Sequence, residues 1–274
     1  MKILDGKKLS EKILIDLKKE IKNRHLKLKL AVIWVGDDPV SKIFVRKKEI
    51  AAKKIGVGFS LYQFGKKITM GRLGKEIKEI VSDSDNSGIV IQLPLPKKMD
   101  TVKILNMVPG KKDVDVLSIS SFEKFSQGNI SILPPTVGAV SYLLEKYKID
   151  VKEKYVVVVG SGRLVGKPLA AWLRLQKANF SILDKSTEDI SSFTRRADIL
   201  ILGVGKENLI KEDMVRKGVI VLDAGTAKKN GKTVGDVNFR SVSKKASYIT
   251  PVIGGVGPMT IACLLENLVK LNKR

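Results

Sequence analysis

The sequence predicts an α/β protein of two domains, each built on a mostly parallel sheet. Three observations predict it. Short apolar runs of strand length (KLAVIWVG, SGIVIQLPLP, YVVVVG, ADILILGVG, GVIVLDAG) alternate with segments of helical period nearly throughout. The alternation restarts after a helical segment near Thr136. The 274 residues, 43% of them hydrophobic, supply core enough for one large domain or two ordinary ones.

The N-terminus, MKILDGKKLSEKILIDL, has charges scattered through it and no cleavable apolar core, so it reads as an amphipathic helix. KLAVIWVG (29–36) reads as a buried strand. Asp38 and Pro39 then suit the cap and first position of a helix running to about Lys54. VGFSLYQF is a second strand and TMGRLGKEIKEIVSD a helix. SGIVIQLPLP is a third strand, stopped by Pro94 and Pro96, and TVKILNMV a short helix. From Pro109 to about Leu133 no period is visible, which predicts loops and short strands.

TVGAVSYLLEKYKI opens the second series. YVVVVG is a strand, VGKPLAAWLRLQK a helix and NFSILD a strand; after a short helix come the strands ADILILGVG and GVIVLDAG. Asn230-Gly231 is a two-residue hairpin signal. SYITP is a last strand, and a helix follows from about Met259. The expected division is a first domain over 1–135, a second over 136–258, and a C-terminal helix (259–274) packing back on the first.

No stretch reaches the roughly 18 unbroken apolar residues of a membrane span. The single cysteine, Cys263, cannot form an internal disulfide and reads as a buried thiol. A cytoplasmic protein is expected, with no metal site. The net charge of +23 suits nucleic acid, an acidic membrane surface or a polyanionic small molecule, or else is only a lysine-rich surface. The basic residues are spread along the chain and aromatics are 5%, which argues against base-stacking platforms. Neither nucleic acid nor membrane is an expected partner.

VVVVGSGRLVGKP (156–168) places Gly160, Gly162 and Gly166 between a strand and a helix. The spacing is GxGxxxG. Gly160 permits a tight turn, Gly162 lets backbone approach a pyrophosphate, and Gly166 lets helix and strand pack closely. A Rossmann-like dinucleotide-binding domain is predicted, with Ser161 and Thr226 included in the cofactor site. Asp184 ends the next strand, where an acid binds a ribose 2′-hydroxyl and favours NAD; its alternative role is to cap the next helix. Arg163 and Lys185 stand ready for the 2′-phosphate of NADP. The residues by themselves leave NADP and NAD both open.

In SKIFVRKKEI (41–50), a helical face starting at Phe44 reads Phe44, Lys48, Ala51, Ala52, Ile55. Lys48 is the only charge on that face, whereas Arg46, Lys47 and Lys53 project elsewhere. Lys48 therefore points at covered surface near a strand's carboxyl end, as a ligand-binding residue or as a lysine snorkelling over apolar surface.

VGDDPVSKIFVRKK, GIVIQLPLPKKMD, KKDVDV, the glycine turn and YITPVIGGVGPMT occur in this order. Together, over essentially the whole chain, they resemble the methylenetetrahydrofolate dehydrogenase/cyclohydrolase family. The resemblance implies two α/β domains flanking a cleft, usually in a homodimer. It implies oxidation of 5,10-methylenetetrahydrofolate with NAD(P)+ and hydrolysis of the methenyl product to 10-formyltetrahydrofolate. Lys48 is implied to be the central catalytic residue, Gln92 to hydrogen-bond and tune it, and Asp115 to bind the pterin ring. Gly254, Gly255 and Pro258 are implied to shape the folate site, along with Ser41, Phe44 and Pro94. Read by themselves, Gln92 is a polar residue at a strand end and Asp115 suits a loop cap. Gln92 has two ways to act: accepting from the ammonium or donating to the free amine.

The chain departs from the family at several positions. Phe44 replaces a tyrosine, which raises the alternative of a relative with one activity only. Val116 replaces a glycine, so ordinary backbone angles are expected there. Ile253 replaces a proline, Gly162 a serine and Asp184 a histidine. A second alternative is a basic nucleic-acid-binding protein, whose affinity would collapse with salt.

Overall fold

The computed structural model describes residues 1–229 and 232–273. It divides into two compact units: Glu11–Pro134 with Ile261–Arg274, and Met1–Ser10 with Pro135–Thr260. Two of the three boundaries fall within the first and last helices, and the third lies between Pro134 and Pro135.

The chain opens with a two-residue strand, β1 (Lys2–Ile3), and α1 (Gly6–Asn23). Next come β2 (Lys29–Val35), α2 (Pro39–Lys54), β3 (Gly58–Phe64), α3 (Met70–Ser82), β4 (Gly88–Ile91) and α4 (Thr101–Leu105). The helix starts have side-chain caps. Asp38 accepts from the Ser41 amide at 2.7 Å, Thr69 from Arg72 at 3.3 Å and Asp100 from Lys103 at 3.0 Å.

The three strands form a parallel sheet in the order β3-β2-β4. Central β2 is buried on both faces, which explains its unbroken apolar run. Leu30, Val32 and Trp34 face a core with Leu14, Leu17 and Ile21 of α1, Ala51, Ala52 and Ile55, and Leu264, Leu265 and Leu268. Ala31, Ile33 and Val35 face Leu73, Ile77 and Ile80 of α3.

The segment expected to hold loops and short strands differs. It contains a 3-10 turn (Gly110–Lys112) and a helix, α5 (Ile119–Ser126), and its strand character shrinks to one bridge between Ile89 and Asp113. Eight residues are too few for a helical period to stand out. Ser118 caps α5, and Ser121 and Phe125 bury one side of it.

The other unit runs α6 (Pro135–Lys146), β5 (Tyr155–Val159), α7 (Gly166–Leu175), β6 (Asn179–Leu183), α8 (Ile190–Thr194), β7 (Ile199–Leu202) and β8 (Ile220–Asp223). β9 (Ala227–Lys229) and β10 (Lys232–Val234) pair antiparallel, although Asn230 and Gly231, the expected turn, lie outside the described residues. α9 (Phe239–Val242), β11 (Tyr248–Ile249) and α10 (Val256–Leu271) complete the chain.

Six strands form one parallel sheet in the order β1-β11-β8-β7-β5-β6. The chain leaves β5 for β6 on one side and returns to β7 on the other. That reversal opens a ligand-binding crevice at the carboxyl ends of β5 and β7. β1 extends this sheet past β11, so the first ten residues group with this unit and not with the segment that follows them. Among the described residues no helix is long and apolar enough to cross a membrane.

Candidate active site

Helix α2 starts at the carboxyl end of β2 and carries Lys48 on the side that buries Ala51, Ala52 and Ile55. Arg46, Lys47 and Lys53 are exposed. Lys48 Nζ donates to Gln92 Oε1 at 2.9 Å. Gln92 is buried just beyond β4, and its amide nitrogen donates to Leu93 O at 2.7 Å. A carbonyl oxygen only accepts, so Gln92 must turn its own oxygen toward Lys48. This resolves the direction of the bond. Burial pushes the Lys48 pKa down, and the Asp115 carboxylate partly offsets this.

Asp115 follows the 3-10 turn. Burial raises its pKa to about 6, opposed by the charge of Lys48 and helped by Asp113. Asp115 makes no hydrogen bond among the described residues, so its oxygens are free for a ligand. The loop is capped instead by Asp113, which accepts from Leu117 N at 3.2 Å, Ser118 N at 2.9 Å and Ser118 Oγ at 2.7 Å. Lys112 ties the same loop to the end of α3, donating to Val81 O at 2.8 Å and Asp83 O at 2.7 Å. Lys112 and Asp113 stood in KKDVDV without a role assigned. The partners of Lys112 lie 29 and 31 residues away, beyond local pattern, whereas those of Asp113 lie within five residues.

Val116 corrects an expectation. Its φ is +56°, in the left-handed region, and not at ordinary angles. A buried β-branched residue there is strained by about 1–3 kcal/mol. The loop keeps the shape a glycine would give because Asp113 and Lys112 hold it on both sides.

Ser41 is buried in the first turn of α2, with Oγ 3.5 Å from Leu93 O. Phe44 is half-buried, and its ring centroid lies 5.9 Å from Lys47 Nζ. Pro94 is exposed after a cis bond from Leu93. Gly254, Gly255 and Pro258 belong to the other unit. There the Lys7 amide donates to Gly254 O at 2.7 Å.

At the glycine turn, Gly160 has φ +106°, and a Cβ there would sit 2.8 Å from Gly203 O. A Cβ on Gly166 would fall 1.8 Å from Gly160 O, so only glycine fits. A Cβ on Gly162 meets nothing within 4 Å, which leaves open backbone. No side chain caps α7. A bare helix start behind an open turn fits a pyrophosphate. Ser161, Arg163, Lys185 and Thr226 are exposed. Asp184 is also exposed and accepts from Ser186 N at 2.9 Å, Ser186 Oγ at 2.6 Å and Ser161 Oγ at 3.4 Å. Those bonds, Ser186 foremost, hold its pKa below the usual range. Asp184 does not cap the next helix; Asp189 does.

Two family profiles match the chain. One, the catalytic domain of tetrahydrofolate dehydrogenase/cyclohydrolase, covers residues 4–115. The other, the NAD(P)-binding domain of the same enzyme, covers 134–274. The chain belongs to the tetrahydrofolate dehydrogenase/cyclohydrolase family.

Relatives in the family match end to end. The bifunctional protein FolD of Nautilia profundicola is 49% identical over 277 residues, covering 100% of this chain and 98% of the relative. The crystal structure of the bifunctional FolD methylenetetrahydrofolate dehydrogenase/cyclohydrolase of Campylobacter jejuni is 42% identical. It superposes with a TM-score of 0.94 over 99% of this chain and 98% of that one. The Trypanosoma brucei dehydrogenase-cyclohydrolase, solved with NADP and an inhibitor, is 31% identical with a TM-score of 0.93, over 98% and 96%. As a tetrahydrofolate dehydrogenase/cyclohydrolase, the chain is an enzyme with a Rossmann-like NAD(P)-binding domain.

Proposed function

We propose that Lys48, Gln92 and Asp115 carry the folate chemistry and that the turn at Gly160–Gly166 holds the dinucleotide. The reactions are oxidation of 5,10-methylenetetrahydrofolate and hydrolysis of the methenyl product to 10-formyltetrahydrofolate. The observation that carries the reading is the hydrogen bond from Lys48 to Gln92, with Asp115 near enough to shift the lysine's pKa.

Hydrolysis needs a base that takes a proton from the attacking water. A lysine ordinarily titrates near 10.4 and is a poor base at neutral pH. Burial of Lys48 lowers that value, and a cationic methenyl substrate lowers it further. The free amine accepts one water proton as the carbon–oxygen bond forms and passes it to the ring nitrogen as the carbon–nitrogen bond breaks, while the hydroxyl proton leaves to solvent as the formyl carbonyl forms. Asp115 accepts from the amino and imino hydrogens of the pterin, which fixes the one-carbon unit beside Lys48. The ring of Phe44 packs on the substrate without a hydroxyl donor. The bound nicotinamide supplies a hydride acceptor for the oxidation. Gly160, Gly162 and the start of α7 hold its pyrophosphate.

NADP is the preferred cofactor in this reading, with Arg163 and Lys185 on the 2′-phosphate. The Trypanosoma brucei relative binds NADP. The Asp184 carboxylate leaves room for NAD as a poorer alternative. Ser41 and Pro94 complete the folate side of the Lys48 unit; Ser161 and Thr226 complete the dinucleotide side. A cytoplasmic homodimer belongs to the same reading, and light scattering of the purified protein measures its oligomeric state.

The test is purified protein given 5,10-methylenetetrahydrofolate with NADP+ or NAD+. Reduced dinucleotide and formyl product are expected, faster with NADP+. Methenyl accumulation without formyl product would show a lost hydrolase. No reduced dinucleotide would show a lost dehydrogenase.

A further inference from the structure

Two aspartates with no part in the chemistry above lie deep in the NAD(P)-binding unit. Asp236 is 0% exposed and Asp223 is 7% exposed. A buried carboxylate is unfavourable unless hydrogen bonds replace its water. Asp236 Oδ2 accepts from Val204 N at 2.6 Å and Gly205 N at 3.2 Å, and its Oδ1 from Lys206 N at 2.8 Å. Three successive amides converging on one point form an anion nest, here filled by the chain's own side chain. Asp223 accepts from Gly225 N at 2.9 Å and Val237 N at 3.0 Å. The two aspartates thus lock together the segments that follow β7, β8 and β10. The lock is tight, because a Cβ on Gly225 would lie 2.1 Å from the Asp236 carboxyl carbon.

The loop that Asp236 gathers borders the dinucleotide cradle. A Cβ on Gly160 would lie 3.2 Å from a methyl of Val204, and one on Gly205 would lie 3.4 Å from Thr226 O. Val204 is 46% exposed, an apolar side chain presented beside the glycine turn. Gly205 sits at φ +79°, so the loop has an unusual shape that something must hold.

We propose that Asp236 is a positioning residue for dinucleotide binding. By collecting the amides of residues 204–206, it fixes Val204 and Thr226 as a wall of the cradle that Gly160 opens. The proposal rests on the dinucleotide reading above. Without the carboxylate the three amides lose their acceptor, the loop relaxes, and the wall moves off the cofactor.

The test is Asp236→Asn, which keeps the size but turns an NH2 group toward donating amides. The Michaelis constant for NAD(P)+ should rise about tenfold or more, the scale of one charged hydrogen bond. Hydrolysis of methenyltetrahydrofolate consumes no dinucleotide and should stay within about twofold of wild type on the same ground. An unchanged Michaelis constant for NAD(P)+ overturns the proposal. If Asp236→Asn loses both activities, Gly205→Ala decides, because it strains the same loop and leaves the carboxylate in place. A raised dinucleotide constant with hydrolysis retained then supports the proposal; an unchanged constant, or joint loss of both activities, overturns it. Wild-type protein that oxidises nothing with either dinucleotide sinks the cofactor reading instead, before any variant is compared.

Discussion

Lys48 Nζ meets Gln92 Oε1 at 2.9 Å across 44 residues of chain. Leu93 O holds the glutamine in place from behind, at 2.7 Å from its amide nitrogen. The acceptor facing the lysine is therefore neutral and fixed. It orients the amine in either protonation state without stabilising the charged form as a carboxylate would.

Gln92→Glu should reverse that balance. A carboxylate at the same place would keep Lys48 protonated. Methenyl hydrolysis at pH 7 should fall by about 10–100-fold, and its pH profile should move to higher pH. An unmoved profile would mean that Lys48 is not the titrating base.

Lys48→Met keeps the apolar stem and removes the base. Hydrolysis should drop by about 10²–10⁴-fold, the range of general acid–base catalysis, with the thermal midpoint held or raised. Formyl production at the wild-type rate would refute the role of the amine.

The Asp115 carboxylate, with its pKa raised to about 6, should set an acid limb. Below pH 6 it protonates and becomes a poorer acceptor for the pterin. The ratio kcat/KM for the folate should fall about tenfold per pH unit there. Asp115→Asn should lower the plateau and flatten that limb, as initial rates across pH 4.5–8 would show.

Stability should respond to pH through the buried carboxylates. Burial raises the Asp223 pKa to about 7, above the unfolded value of 3.8. The folded state therefore binds that proton more tightly than the unfolded chain. Its stabilising contribution is full below about pH 4 and is lost as pH rises through about 7. Asp223→Asn should flatten the slope of the urea midpoint between pH 5 and 8. An unaltered slope would show that Asp223 does not titrate in this window.

Val116→Gly should be mild for a core substitution. It loses a buried side chain, worth about 1.5–3 kcal/mol, but relieves left-handed strain of about 1–3 kcal/mol. Val114→Gly, two residues earlier and equally buried, loses the same packing with no left-handed strain to relieve. Urea unfolding should place Val114→Gly at least about 1 kcal/mol below Val116→Gly. Equal losses would mean that φ +56° is not strained in the folded protein.

The strands and most helices were legible in the sequence because period and capping involve residues close in the chain. Asp38 reaches Ser41, and β2 shows its double burial as a continuous apolar run. Features that depend on distant partners were not. α5 is too short for its period to show, and β1 is a strand only because β11 stands beside it. The angle at Val116 reversed the expectation from residue type, since Lys112 ties the loop to the distant end of α3 while Asp113 caps it from within.

By itself the sequence determined the α/β class, the glycine turn and the helical face on which Lys48 lies, all consequences of local spacing. Tertiary structure alone decided the direction of the Gln92 bond, the displaced pKa values of Lys48 and Asp115, and the capture of residues 204–206 by Asp236 from 30–32 positions away. The reason is that desolvation and hydrogen-bond partners belong to the packed environment, and segments far apart in the chain build that environment only when they fold together.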